Sequence, residues 1–125
     1  MKTYGVILAA GDSTRFGAEV NKLFYKVNGK ELVRYTVETF LENNEIDEVL
    51  LVSSESNKSA LEKLLADQES VSIVDGGDSR QESEYFALQY LENKAKDNSL
   101  IVIHDAARSF MSSNLLTNLI NAAKE

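Results

Sequence analysis

Cysteine is absent from the 125 residues. That removes disulfides, thiolate metal sites and a cysteine nucleophile together. Proline is absent too, where a usage of about 5% would give roughly six. The sequence assigns no function to that absence. Excess positive charge is also missing. Thirteen Lys and Arg face 20 Asp and Glu, for a net charge of −7. A nucleic-acid binder needs a basic face, so a nucleic-acid partner is not expected. A small anion remains within reach if the few basic residues converge. No apolar run approaches the ~20 residues that span a bilayer, and the N-terminus shows no charged-then-apolar leader. The expected setting is therefore the cytoplasm without a membrane partner, which the lack of cysteine permits without requiring.

What is there suits one folded domain over residues 1–125. Hydrophobic residues make up 43% and charged residues 26%, ordinary values for a globular chain long enough to bury a core. Four short β-branched runs, at residues 4–8, 48–52, 71–74 and 100–104, are nearly continuous in apolarity. That pattern suits strands buried on both faces of a parallel sheet. Helical spacing of apolar residues predicts helices over 31–43, 58–66, 79–94 and 112–123. In the third, Tyr85, Phe86, Leu88, Tyr90 and Leu91 are read as core. Strand–helix alternation implies βαβ units. The connection from residue 10 to about 29 is long for such a unit, and long structureless loops in compact domains are usually functional. The chain stops in or just after a helix with no closing strand, so a truncated form is expected.

Three segments carry chemistry. The first is Leu8-Ala9-Ala10-Gly11-Asp12-Ser13-Thr14-Arg15-Phe16-Gly17, with Lys22 a few residues on. It begins where the first strand ends, the place where open α/β sheets bind ligands. Small residues let backbone N–H groups approach phosphate oxygens. Arg15 offers a fork that matches phosphate, and Lys22 a mobile charge. It is neither a P-loop nor a dinucleotide fingerprint. The plainer alternative is a strand-to-helix turn with incidental charges.

The second segment is Asp75-Gly76-Gly77-Asp78-Ser79-Arg80-Gln81-Glu82-Ser83. Its glycines allow a tight turn, Asp78 or Ser79 suits a helix cap, and Arg80 and Ser83 fall on the first helical turns. A simple capped helix explains it equally well. The third is Ile103-His104-Asp105-Ala106-Ala107-Arg108. Asp105, at a strand end, suits Mg²⁺, although a turn cap is a common use of Asp. His104 is the only histidine and reads as structural. Glu42, Glu45, Asp47 and Glu48 read as a solvated turn. Asn57-Lys58-Ser59 fits a glycosylation sequon and is given no weight in a cytoplasmic chain.

Taken together and in order, these three segments resemble the cytidylyltransferases that act on 2-C-methyl-D-erythritol 4-phosphate and their relatives that act on ribitol 5-phosphate. The resemblance runs from Thr3 to about Phe110 and covers the N-terminal part of a typical member. It implies a Rossmann-like three-layer α/β nucleotidyltransferase fold, with about four parallel strands in order 3-2-1-4 and helices on both faces. It implies transfer of CMP from CTP to the phosphorylated alcohol with release of pyrophosphate, in isoprenoid-precursor or CDP-polyol synthesis. By the same resemblance Ala9, Ala10, Gly11 and Ser13 belong to the nucleotide loop. Arg15 and Lys22 are the catalytic cations on the triphosphate. Gly77, Arg80 and Ser83 serve base and ribose, and Asp105 ligates Mg²⁺.

Departures are visible. Ser13 stands where glycine is usual, Asn21 and Leu23 flank Lys22 in place of proline and glutamine, Glu84 replaces a small apolar residue, and Ser109 replaces proline. The family's acceptor pocket and dimerising arm have no counterpart in the sequence. The isolated chain is therefore expected to bind CTP weakly and to turn over little, and a homodimer is left open. Two other readings stay beside this one, a nucleotide-binding module without catalysis and a fragment that self-associates through its uncovered sheet edge or helix face.

Overall fold

The computed structural model of the protein describes residues 2–9, 26–68, 70–77, 79–92, 99–105 and 113–124. Strand β1 spans Thr3–Ala9, and all seven of its residues are buried. It pairs in parallel with β4 (Glu48–Ser53) on one side and β6 (Leu100–Asp105) on the other. β5 (Val71–Asp75) extends the sheet beyond β4, giving the order β5-β4-β1-β6. Counting these four strands alone, that is the expected 3-2-1-4. The continuous apolarity of β1 follows from its central place, because both of its faces must be covered.

Helices cover the two faces unequally. Ile7, Ala9, Val49 and Leu51 pack with residues of α1 (Leu32–Glu42), α2 (Glu55–Leu64) and α4 (Ser113–Lys124), together with Leu65 just past α2. Tyr4, Val6, Leu8, Leu50 and Val52 point the other way and meet Ala87 and Leu91 of α3 (Arg80–Glu92). The period-2 alternation of strand side chains separates these two cores. Gly5 is required by packing, since a Cβ there would lie 2.5 Å from the Phe40 ring. Phe40 is itself fully buried, which stabilises the fold by roughly 1.5–3 kcal/mol. Buried Asn43 joins α1 to α4 by donating to Thr117 Oγ1 at 2.9 Å.

The structure corrects several expectations. The connection after β1 does not run unstructured to residue 29. Lys26–Val27 (β2) and Lys30–Glu31 (β3) form an antiparallel hairpin. Asn28 and Gly29 turn it with φ of 53° and 81°, the left-handed pair of a tight two-residue turn. Tyr35 of α1 donates its hydroxyl to the Val27 carbonyl at 2.7 Å and holds the hairpin down. Helix α2 starts at Glu55, three residues before the predicted start, because the Ser54 side chain accepts from Asn57 N–H and caps it. Helix α3 buries Ser83, Ala87 and Leu91, whereas Tyr85, Phe86 and Leu88 are exposed. Asp47 is more than a solvated turn residue, for its Oδ2 accepts the Thr3 N–H at 2.7 Å and closes the start of β1.

A charged cluster fastens α1 to the end of α2. Arg34 donates to the Leu64 carbonyl at 2.8 Å, to Asp67 at 2.7 Å and to Glu38 at 3.1 Å. Lys30 joins Glu38 at 2.6 Å. The Lys30 hydrogen bond, followed by that from Arg34, holds the Glu38 carboxyl below the ordinary glutamate range against the effect of burial. Arg34 does the same for Asp67. A cation at the end of α2 also suits the negative end of the helix dipole.

Candidate functional site

The parallel sheet brings the ends of its strands to one edge. Register places Ala9 of β1 opposite Ser53 of β4, and Ser53 opposite Asp75 of β5. On the other side, Leu8 lies opposite Asp105, the last residue of β6. The starts of all three sequence segments therefore meet at the carboxyl edge of the sheet, where α/β folds hold ligands.

Of the predicted site residues, Ala9 ends β1 and is buried. Ala10, Gly11, Ser13, Arg15 and Lys22 lie outside the described residues. Asp105 is placed by its backbone at the end of β6, and Arg80 by its backbone as the first residue of α3. Ser83, one turn into α3, is 1% exposed.

The second segment is closely tied together. Gly76 N–H donates to the Ser53 carbonyl at 2.7 Å, which binds the turn to β4. Ser79 caps α3 by accepting the Glu82 N–H on its Oγ at 3.1 Å. The Ser83 hydroxyl accepts the Gly77 N–H at 3.0 Å. Gly77 is needed for a further reason, because the Glu82 side chain packs directly on its Cα and a Cβ there would overlap it. Lys58 of α2 pairs with Asp75 at 3.1 Å on the rim. His104 lies beside Phe40, with ring centroids 6.1 Å apart, at the inner end of this edge.

One residue at this edge was not singled out by sequence. Asn57 is buried, and its Nδ2 donates to the Ala9 carbonyl at 3.4 Å. Only the sequon marked it in the sequence, and a sequon is a surface signal.

With the edge assembled, similarity to known proteins decides the family. The profile of the 2-C-methyl-D-erythritol 4-phosphate cytidylyltransferase family matches residues 4–125. The chain belongs to this family. Its sequence is 36% identical to the enzyme of that name from Clostridium perfringens, over 99% of this chain and 55% of that protein. It is 38% identical to the one from Petrotoga mobilis, over 98% of this chain and 54% of that protein. In structure it is similar to 4-diphosphocytidyl-2C-methyl-D-erythritol synthase from Anaerococcus prevotii, with a TM-score of 0.79 and 25% identity, covering 99% of this chain and 51% of that one. It is likewise similar to the 2-C-methyl-D-erythritol 4-phosphate cytidylyltransferase of Francisella tularensis, with a TM-score of 0.78 and 27% identity over 100% of this chain and 53% of that one. The chain thus spans about half the length of the curated relatives it matches. Among the described residues, no helix is long and apolar enough to cross a membrane.

Proposed function

We propose that residues 1–125 form the nucleotide-binding part of a cytidylyltransferase-like domain, which binds CTP for transfer of CMP to a phosphorylated small alcohol. The observation that supports this best is the meeting of Ala9, the Gly76–Gly77 turn and Asp105 at one carboxyl edge of the sheet, in a chain whose family match runs from residue 4 to 125. The named relatives act on 2-C-methyl-D-erythritol 4-phosphate, and that alcohol phosphate is the proposed acceptor in preference to ribitol phosphate.

In this reading Ala9, Ala10, Gly11 and Ser13 serve the triphosphate through their backbone, and Gly77, Arg80 and Ser83 serve the base and ribose, buried Ser83 by holding Gly77 from behind. Arg15 and Lys22 neutralise charge as an acceptor phosphate oxygen bonds to the α-phosphorus and the bond to pyrophosphate breaks. Such displacement needs positioning and fixed positive charge, and no protein nucleophile. Asp105 is the proposed Mg²⁺ ligand. Its hard carboxylate at the end of β6 fits a cation that takes one or two carboxylates and completes its shell with phosphate oxygens and water. Among the described residues no group of three acidic, histidine or cysteine side chains gathers. When bound, Mg²⁺ would neutralise phosphate charge.

Amide chemical shifts test the location. CTP with Mg²⁺ is expected to move Ala9, Gly76, Gly77 and Ser83, and UTP and ATP to move them less. Shifts confined to other surfaces would contradict the reading.

A second reading, self-association, has its own observation. Tyr85, Phe86 and Leu88 stand exposed on α3, and Tyr85 and Leu88 line a groove of about 410 Å³ that reaches Leu91 and Ile101. Among the described strands, β6 pairs on one side only. A second copy of this chain, docking through that edge and helix, is the occupant this reading proposes.

A further inference from the structure

Asn57 is the third residue of α2, and its position is fixed from two directions. Its backbone N–H donates to the Ser54 Oγ at 3.3 Å and the Ser54 carbonyl at 3.1 Å. Its side chain leaves the helix and donates to the Ala9 carbonyl, 48 residues away in sequence. Asn57 is 6% exposed. Alanine would serve the helix better, and burying an amide is costly unless it is hydrogen-bonded. The polar group is thus justified by what it touches, and it touches the last carbonyl of β1.

We infer that Asn57 is a positioning residue for the carboxyl end of β1 at the candidate site. A peptide unit is planar. Holding the Ala9 carbonyl therefore fixes how β1 ends at the carboxyl edge of the sheet. Ser53, which pairs with Ala9 in register, holds the turn after β5 by accepting the Gly76 N–H at 2.7 Å. The β4–α2 junction consequently braces the candidate site from behind at two points, Asn57 at the end of β1 and Ser53 at the Gly76 turn after β5. The consequence for nucleotide affinity rests on the function proposed above; the bracing itself does not.

Three variants test it. Asn57→Leu keeps the side-chain outline and removes the donor. Asn57→Gln keeps a donor. Ser54→Ala weakens the same helix turn without touching Ala9. Without nucleotide, the carbon-13 shift of the Ala9 carbonyl should move in Asn57→Leu and stay near wild type in Ser54→Ala. With CTP and Mg²⁺, Asn57→Leu should bind about three- to ten-fold more weakly, the effect of one buried hydrogen bond, and Asn57→Gln should recover part of the loss. Ser54→Ala should bind as wild type despite a lower Tm. Should Asn57→Leu fail to fold, Asn57→Ala takes its place. An unmoved Ala9 carbonyl, or equal affinity losses in Asn57→Leu and Ser54→Ala, would overturn the inference. A wild-type chain that binds no CTP, with the Ala9 carbonyl still responding to Asn57→Leu, would defeat the proposed function and support the bracing.

Discussion

The hydroxyl of Ser83 accepts a hydrogen bond from the backbone N–H of Gly77 at 3.0 Å. This bond fastens the glycine turn after β5 to the first turns of α3. Ser83→Ala removes the acceptor and leaves a part-buried N–H without it. The expected loss is about 1 kcal/mol of stability, read by urea unfolding, together with weaker CTP binding. An unchanged unfolding midpoint would show that the bond contributes nothing.

Gly77 and Glu82 should prove energetically coupled. A methyl at Gly77 collides with the Glu82 side chain, so Gly77→Ala is expected to destabilise. Glu82→Ala in the same chain should relieve only part of that penalty, because the Cβ that alanine keeps would still lie 2.6 Å from the added methyl. A double-mutant cycle measures the coupling directly. Additive effects would mean that the two side chains do not compete for this space.

Gly5→Ala tests the packing of β1 against α1. The added methyl has to displace the Phe40 ring, and overpacking of this kind costs about 1–3 kcal/mol. Chemical denaturation of Gly5→Ala against wild type gives the number. Phe40→Leu should lessen the penalty when combined with Gly5→Ala.

Acid should weaken the α1–α2 fastening. Glu38 and Asp67 are both held below their ordinary range, Glu38 chiefly by Lys30 and Asp67 by Arg34. A carboxyl depressed in the folded state stabilises fully above its unfolded pKa, and that contribution disappears as pH falls through the lower folded value. Tm should therefore drop as pH falls below about 4. Glu38→Gln should show a smaller drop, because it lacks one of the two groups. A parallel fall in both proteins would remove Glu38 from the explanation.

The fold was legible where burial and period agree. The four sheet strands appear within one or two residues of their apolar runs, because a strand covered on both faces has little freedom in composition. The hairpin at Asn28–Gly29 was missed although Asn-Gly is a strong turn signal. Its strands are only two residues each, too short to show a period. Helix α3 misled for the opposite reason. It is apolar on several faces, and Tyr85 and Phe86 resemble core until the topology shows Ser83, Ala87 and Leu91 facing the sheet. Ser83 was legible as a residue of the turn. Its bond to Gly77 was not, and neither was Asn57, whose partner lies 48 residues away.

The most direct measurement is a calorimetric titration of the chain with CTP and Mg²⁺, repeated on Lys22→Ala and Asp105→Ala. The account predicts saturable CTP binding, weakened about ten-fold or more in both variants, as removal of a charged phosphate or metal contact requires. A folded chain that takes up no CTP, or binds it equally well in all three proteins, would contradict it.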